Sequence, residues 1–236
     1  MTEETRKARA FLEREPLLRV QALEAVRRGS AEVLARRADG VLLVDRDCDL
    51  PLLCADSAET ALALLDSLPE TGVLVNDFTE LDGEISARFG LDGSQRCHNF
   101  VYLKREKVPV RTDLELIPLS EAQAELVSRH YHIHSLEEIR ETIRDGRLLG
   151  GYSGSVLVGF IGRHEEGSLG MLHVFERYRR KGHAFAMEAL MVNRMLDEGR
   201  LPYGQVVPGN EASMRLQIKL GFVRCERPVS WLFRTD

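Results

Sequence analysis

The stretch ERYRRKGHAFAMEAL, residues 176–190, sets four cations into five positions (Arg177, Arg179, Arg180, Lys181), then Gly182, then an apolar helical pattern. A helix start carries partial positive charge, so cations there are disfavoured by roughly 0.3–1 kcal/mol each. Glycine also weakens a helix. A bound anion would resolve the conflict. The first N–H groups of a helix have no intrahelical acceptor. Gly182 has no Cβ, so a bulky anion can come close to the backbone. His183 and Ala184 continue the row of amides, and Arg179, Arg180 and Lys181 add full charges. The set suits a pyrophosphate. The alternative reading is a solvated basic turn with a chance glycine.

A second group is RHYHIHS, residues 129–135. His130, His132 and His134 alternate, and in an extended segment they share one side, as metal ligands would. No carboxylate or cysteine lies close enough in sequence to complete a catalytic metal site, and no metal is expected. Contact with a substrate and a plain loop stay open for this segment.

These residues need elements to position them. From residue 113 the pattern reads β-α-α-β-β-β-α-β-α-β-β: strand LELIPL, helices 120–130 and 135–145, strands RLLGGY, VLVGFIGRH and SLGMLHVF, a helix from Gly182 to Glu198, strand YGQVV, helix NEASMRLQIKL closed by Gly221, and two short strands. Ser135 and Glu138 have capping-box spacing. The helix at 184–198 is apolar nearly all round, which predicts burial against a sheet. Its start then lies at the end of the strand before it, where open α/β sheets bind ligands. Residues 8–28 have helical spacing interrupted by Pro16. A hairpin over 32–45 follows, then strand LPLLCA, a helix from Ser57, strand GVLVND, helix TELDGEISARFG and strand HNFVYLK. The polar stretch 104–112 reads as a linker between domains 1–110 and 111–236.

The C-terminal half resembles the GNAT superfamily of acyl-CoA-dependent N-acetyltransferases. Arg179-Arg180-Lys181-Gly182-His183-Ala184 is similar to its Q/R-x-x-G-x-G/A signature. Asn210, Ser213, Leu216, Lys219, Leu220, Gly221 and Phe222 are similar to its second signature, N-x-x-S/A-x-x-L followed by L-G-F. The runs NEASMRLQIKLGF and PVSWLF look most like the glycine N-acyltransferase-like branch and uncharacterised bacterial relatives. The resemblance covers residues 113–236. It implies a mixed, mostly antiparallel sheet flanked by helices, in the α/β (α+β) class. It implies acetyl-CoA, or another short acyl-CoA, as donor. Backbone amides of Arg180 to Ala184 would hold the pyrophosphate, with Arg179 beside them. Leu172, His173 and Val174 would bond the pantetheine and acyl carbonyl. Asn210 and Ser213 would flank the pantetheine or the sulfur. The amine of a small molecule or amino acid would attack directly, and Tyr131, His132, His134 and Tyr203 would contact it.

Two departures from the pattern concern proton transfer. Many members place a tyrosine after the leucine of the second signature; here Gln217 stands there and cannot act as an acid. Ser213 or Tyr203 could substitute, as could water. Several relatives carry a glutamate where Ser168 stands. Glu166 and His173 are the candidate bases, each with a plain structural alternative: a solvated turn for Glu166, a packed sheet histidine for His173.

Residues 32–103 repeat a similar element order, which reads as a degenerate acetyltransferase-like half; an unrelated α/β cap is the alternative. The segment CADSAETALALL, in the slot of the phosphate turn, has no cation and no glycine. Net charge is −5, with 15 Lys/Arg against 20 Asp/Glu in residues 1–110 and 17 of each in 111–236, so the basic turn is local. Nucleic-acid and membrane binding are therefore not expected. Four cysteines without metal or C-x-x-C spacing, and a charged N-terminus without an apolar signal core, read as a cytoplasmic chain. The expected assembly is a monomer or homodimer. The leading function is an N-acyltransferase. The alternative is a non-catalytic CoA or acyl-CoA sensor.

Overall fold

The computed structural model describes residues 2–235. In chain order its elements are α1 (Glu3–Leu12), α2 (Val20–Arg28), β1 (Ala31–Arg37), β2 (Gly40–Asp45), β3 (Leu50–Ala55), α3 (Ala58–Leu65), β4 (Val73–Asn76), α4 (Asp82–Phe89), β5 (Gly93–Val101), β6 (Leu114–Pro118), α5 (Ala124–Ser128), α6 (Leu136–Arg144), β7 (Leu148–Ser153), β8 (Val156–Arg163), β9 (Leu169–Val174), α7 (His183–Asp197), β10 (Tyr203–Val206), α8 (Glu211–Leu220), β11 (Val223–Arg224) and β12 (Val229–Phe233). Among the described residues no helix is long and apolar enough to cross a membrane.

The chain forms two compact units. The first holds Met1–Val101, Gln205–Met214 and Val223–Asp236; the second holds Tyr102–Gly204 and Arg215–Phe222. The boundary expected at 110/111 lies in the stretch between β5 and β6. The end of the chain joins the first unit because β12 hydrogen-bonds between β4 and β5.

In the first unit the strand order is β1-β2-β3-β4-β12-β5, with β11 on β5. Only β3 and β4 run parallel. Strands β2 and β3 are buried along their whole length, as continuous apolar runs covered on both faces should be. Side chains of α1 and α2 cover one face, those of α3 and α4 the other. The buried Arg19 is held by Asp77 at 2.8 Å and Asp56 at 2.5 Å. Strand β5 begins at Gly93, five residues before the expected HNFVYLK. Its polar start is paired residue by residue with β12, a partner remote in sequence. Gly93 also leaves room for the Phe233 ring.

In the second unit the order is β6-β7-β8-β9-β10, antiparallel except for β9 and β10. Between β9 and β10 runs α7, the crossover a parallel pair requires. The expected helix 120–130 is a short 3-10 turn (Glu121–Gln123) followed by α5. The capping box of Ser135 and Glu138 forms as expected. Helices α5 and α6 close over Leu148, Phe160 and Met171. Helix α7 packs on β6, β8 and β9. It seats closely because Gly151 and Gly159 lack side chains. A Cβ at Gly151 would overlap Met187 Sδ, and one at Gly159 would overlap the His173 carbonyl. The 104–112 stretch has no regular element and is pinned to α7. The Asn193 amide accepts from Val108 N–H (2.7 Å) and donates to Val108 C=O (3.0 Å).

The seating of α7 yields a stability test. Gly159→Ala is expected to cost about 1–3 kcal/mol, because its obstacle is backbone that cannot turn aside. Gly72→Ala, at an open position with no left-handed φ, should stay within about 0.5 kcal/mol of the parent. Equal urea midpoints for the two variants would remove the close approach as a constraint.

Candidate functional site

The site begins where β9 leaves the regular ladder. Phe160 pairs with His173 and Gly162 with Gly170, so Ile161 faces both Met171 and Leu172. This is a β-bulge, and Met171 takes the left-handed conformation (φ +52°) that it demands. On its other side β9 meets β10 at one register position, Leu169 opposite Gly204. Leu172, His173 and Val174, all partly buried, lie further along β9.

After β9 the chain makes a 3-10 turn (Glu176–Tyr178) and enters α7. Arg180 (φ +60°) and Gly182 (φ +84°) are both left-handed, and Lys181 between them is not. A non-glycine residue in this region is uncommon and costs about 1 kcal/mol. Changes of backbone hand turn successive N–H groups toward one side, as in an anion-binding nest. Gly182 is the N-cap of α7, with no side-chain capping bond and no acidic residue in the first turn. A Cβ at Gly182 would meet nothing within 4 Å, so the space before the helix is open. Arg180 and Lys181 are exposed beside it, while Arg179 turns back and donates from Nε to Val174 C=O at 3.1 Å. Lys219 lies over the Phe185 ring of the first turn at 5.1 Å.

Helix α3 follows a parallel-paired strand in the same way but starts differently. Ser57 caps it, accepting from Thr60 N–H, and Glu59 lies in its first turn. The Asp39 carboxylate accepts from Ser57 Oγ at 3.0 Å and Thr60 Oγ1 at 2.7 Å. That helix start already holds an anion of its own; the first turn of α7 contains no acidic residue.

Around the bulge lies a cluster of imidazoles. His173 stacks between His130 (ring centroids 4.6 Å) and Phe160 (5.5 Å), with Phe175 tilted against both histidines. Burial, then the nearby His130 and Arg179, hold the His173 imidazole below its ordinary pKa, so it is a neutral base near pH 7. Tyr131 is half-buried, with its ring 5.5 Å from His134, which is 5.6 Å from His164. Burial, reinforced by the Glu166 charge, pushes the Tyr131 phenol up to about 12. His132 is exposed. Among the described residues no group of three or more His, Cys, Asp or Glu could hold a metal ion.

Glu166 is 6% exposed, and its carboxylate accepts from the Ser168 hydroxyl. The carboxylate missing at position 168 is thus present beside it, brought by a residue two places earlier. Tyr203 is buried and its hydroxyl donates to the Glu166 backbone C=O at 2.9 Å. In the first unit, Asn210 Oδ1 accepts from Ser213 N–H at 3.1 Å and caps the start of α8. Three residues escaped sequence reasoning. His164 packs its ring on Gly170, where a Cβ would overlap it; glycine in strand SLGMLHVF was the available signal. Ser168, a departure from the family pattern in sequence, is the hydrogen-bond partner of Glu166. Glu188 is the acid within the buried stretch of α7 and is 3% exposed, hydrogen-bonded to Gln217.

A family model described as FR47-like protein matches residues 149–231, from β7 into β12. The whole chain is similar in structure to a Drosophila protein (TM-score 0.71, 18% identity, covering 98% of this chain and 96% of that one). It is similar to a GCN5-related N-acetyltransferase from Kribbella flavida (TM-score 0.55, 13% identity, 93% and 96%). It is also similar to one from Sphaerobacter thermophilus (TM-score 0.52, 13% identity, 98% and 93%). The fold is that of the GNAT acetyltransferases. No curated protein matches the sequence. In the GNAT fold as this chain builds it, the bulged strand, the basic turn and α7 are consecutive segments of one chain.

His164 makes the site sensitive to acid. Burial holds its imidazole below the ordinary value of 6.5. A depressed base binds fewer protons folded than unfolded, so its contribution is complete above about pH 6.5 and is lost as pH falls toward the folded value. His164→Phe should therefore narrow the gap in Tm between about pH 7.5 and about pH 5.5. An unchanged gap would show that another group sets the acid limb.

Proposed function

We propose that the protein is an acyl-CoA-dependent N-acyltransferase that moves an acetyl or other short acyl group to the amine of a small molecule or amino acid. The observation that carries this reading is the uncapped, glycine-led start of α7, with open space before it and exposed cations beside it. The CoA pyrophosphate would lie on the amides of Arg180 to Ala184, within reach of Arg179 and Lys181. The pantetheine would add to the free edge of β9 at Leu172, His173 and Val174, with Asn210 and Ser213 as further contacts. The supporting features are the single pairing between β9 and β10 and the bulge at Met171.

The chemistry follows from what thioester aminolysis needs. The amine must be neutral, and His173, depressed by its neighbours, is the base that takes its proton. Glu166, beside Ser168, is the second base and would attract the ammonium form of the acceptor. Tyr131, His132 and His134 would border the acceptor. A β9 amide would donate to the carbonyl oxygen as negative charge develops. The C–S bond then breaks and the thiolate takes a proton from Ser213 or water; Tyr203, whose hydroxyl is engaged by Glu166, is the less suitable donor. Four free cysteines support a reducing cytoplasm, and the motif endings support the glycine N-acyltransferase-like branch. A monomer or homodimer is expected. Residues 1–110 would form a degenerate acetyltransferase-like half, supported by the meander β1–β3 followed by α3 and the parallel β4. Residues 111–236 would be the catalytic part.

One observation favours a second reading, a CoA sensor without turnover. Position 217 carries an amide, already bonded to Glu188. Thiol release from acetyl-CoA over a panel of amines separates the readings. Turnover supports the enzyme; binding without turnover on a broad panel supports the sensor.

Acetyl-CoA at a hundred times its Kd should stabilise the fold by about 2.7 kcal/mol, read as a rise in Tm. Gly182→Asp puts a carboxylate at φ +84°; it should keep the fold at a cost of about 1 kcal/mol and lose the CoA-dependent shift. A retained shift would place the donor elsewhere. His173→Asn should lower kcat about 10²-fold or more with donor binding intact. Unchanged kcat would assign the base to Glu166 or solvent.

A further inference from the structure

Glu188 and Gln217 form a closed polar pair in an apolar setting. Glu188 is 3% exposed and Gln217 5%. Gln217 Nε2 donates to Glu188 Oε1. Their other oxygens, Glu188 Oε2 and Gln217 Oε1, are both buried without a partner. Two buried acceptors facing one amide are costly. A proton on Glu188 Oε2 would make that oxygen a donor, for which the unpartnered Gln217 Oε1 is an acceptor, while the amide N–H donates to the other acid oxygen. Burial pushes the Glu188 carboxyl up to about 7, against the smaller lowering by the Gln217 bond.

The pair also has a position relative to the anion site. Glu188 is six residues beyond Gly182, about 9 Å along the helix axis at 1.5 Å per residue. Lys219, two residues after Gln217, lies over Phe185 in the first turn of α7. Elements around α7 carry Glu115 (β6), Arg163 (β8), His173 (β9), Lys107, Arg215 and Lys219. Among the described residues, burial and Gln217 alone act on the Glu188 carboxyl.

We propose that Glu188 and Gln217 share one proton as a neutral acid–amide pair, and that loss of this proton weakens anion binding at the start of α7. The inference rests on the donor-binding reading above. A buried negative charge at that distance repels a phosphate ligand, by about tenfold in affinity. By reciprocity a bound phosphate holds the proton on Glu188 more firmly.

The test uses the full chain with two probes, CoA and inorganic pyrophosphate, and calorimetric Kd values at about pH 6 and about pH 8.5. Glu188→Gln is compared with the parent at each pH, which cancels titration of the ligand itself. The two should bind alike at the lower pH, and the parent about tenfold more weakly at the higher. In Gln217→Leu the acid loses the amide that shares its proton, so the pH at which binding weakens should differ from the parent's. A protonated carboxyl C=O band in the infrared should be present in the parent at the lower pH, shrink at the higher, and be missing in Glu188→Gln. A parent-to-variant ratio that is the same at both pH values overturns the proposal, as does absence of the band. If Glu188→Gln does not fold, Gln217→Leu and the parent band decide. Pyrophosphate binding with the expected pH dependence but no CoA binding would keep the pair and sink the CoA reading. Binding of neither probe overturns both.

Discussion

Helix α7 presents apolar side chains round most of its circumference, leaving Arg194 and Asp197 exposed, so the sheet must take in the rest. Burying it demands close approach, and Gly151 and Gly159 provide the room by carrying no side chain where Met187 and the β9 backbone come near. Once the helix is seated, its N-terminus stands where β9 ends. The left-handed Arg180 and Gly182 make the turn between them. The mild local penalty of cations at a helix start is set against this much larger burial term, so the fold tolerates the basic turn.

The two units show what decides whether a helix start can hold a ligand. Both contain an antiparallel meander, a crossover helix and a parallel strand. In one, Asp39, Ser57 and Glu59 supply negative charge and a cap from within. In the other, the cap is a glycine and the neighbours are cations. The backbone plan is shared; the side chains at one turn set the electrostatics.

The bulge at Met171 and the histidine stack belong to one piece of geometry. The bulge shifts the register of β9 against β8, and His173 follows on the same strand between His130 and Phe160. Burial, with His130 and Arg179 nearby, lowers the pKa of its imidazole. The bulge, His173 and the basic, glycine-led turn therefore follow one another along fourteen residues of chain, from Met171 to Ala184.

Much of this was legible in the sequence. Periodicity announced α7, the capping box announced α6, and Gly182 after the cations announced where α7 starts, because each rests on neighbours in the chain. Other features depended on partners far away. The polar start of β5 is a strand only because β12 pairs with it across more than 130 residues. The stretch 104–112 looked like a free linker, yet Asn193 holds it on α7. Glu166 read as a solvated turn residue, but the hairpin folds it inward onto Ser168. Glu188 looked like a charged residue on a helix until burial and Gln217 gave it a closed environment. Local spacing determines elements, caps and the sign of a turn's charge. Burial, hydrogen-bond partners and protonation are set by atoms that only the fold brings together, and those were decided by the tertiary structure.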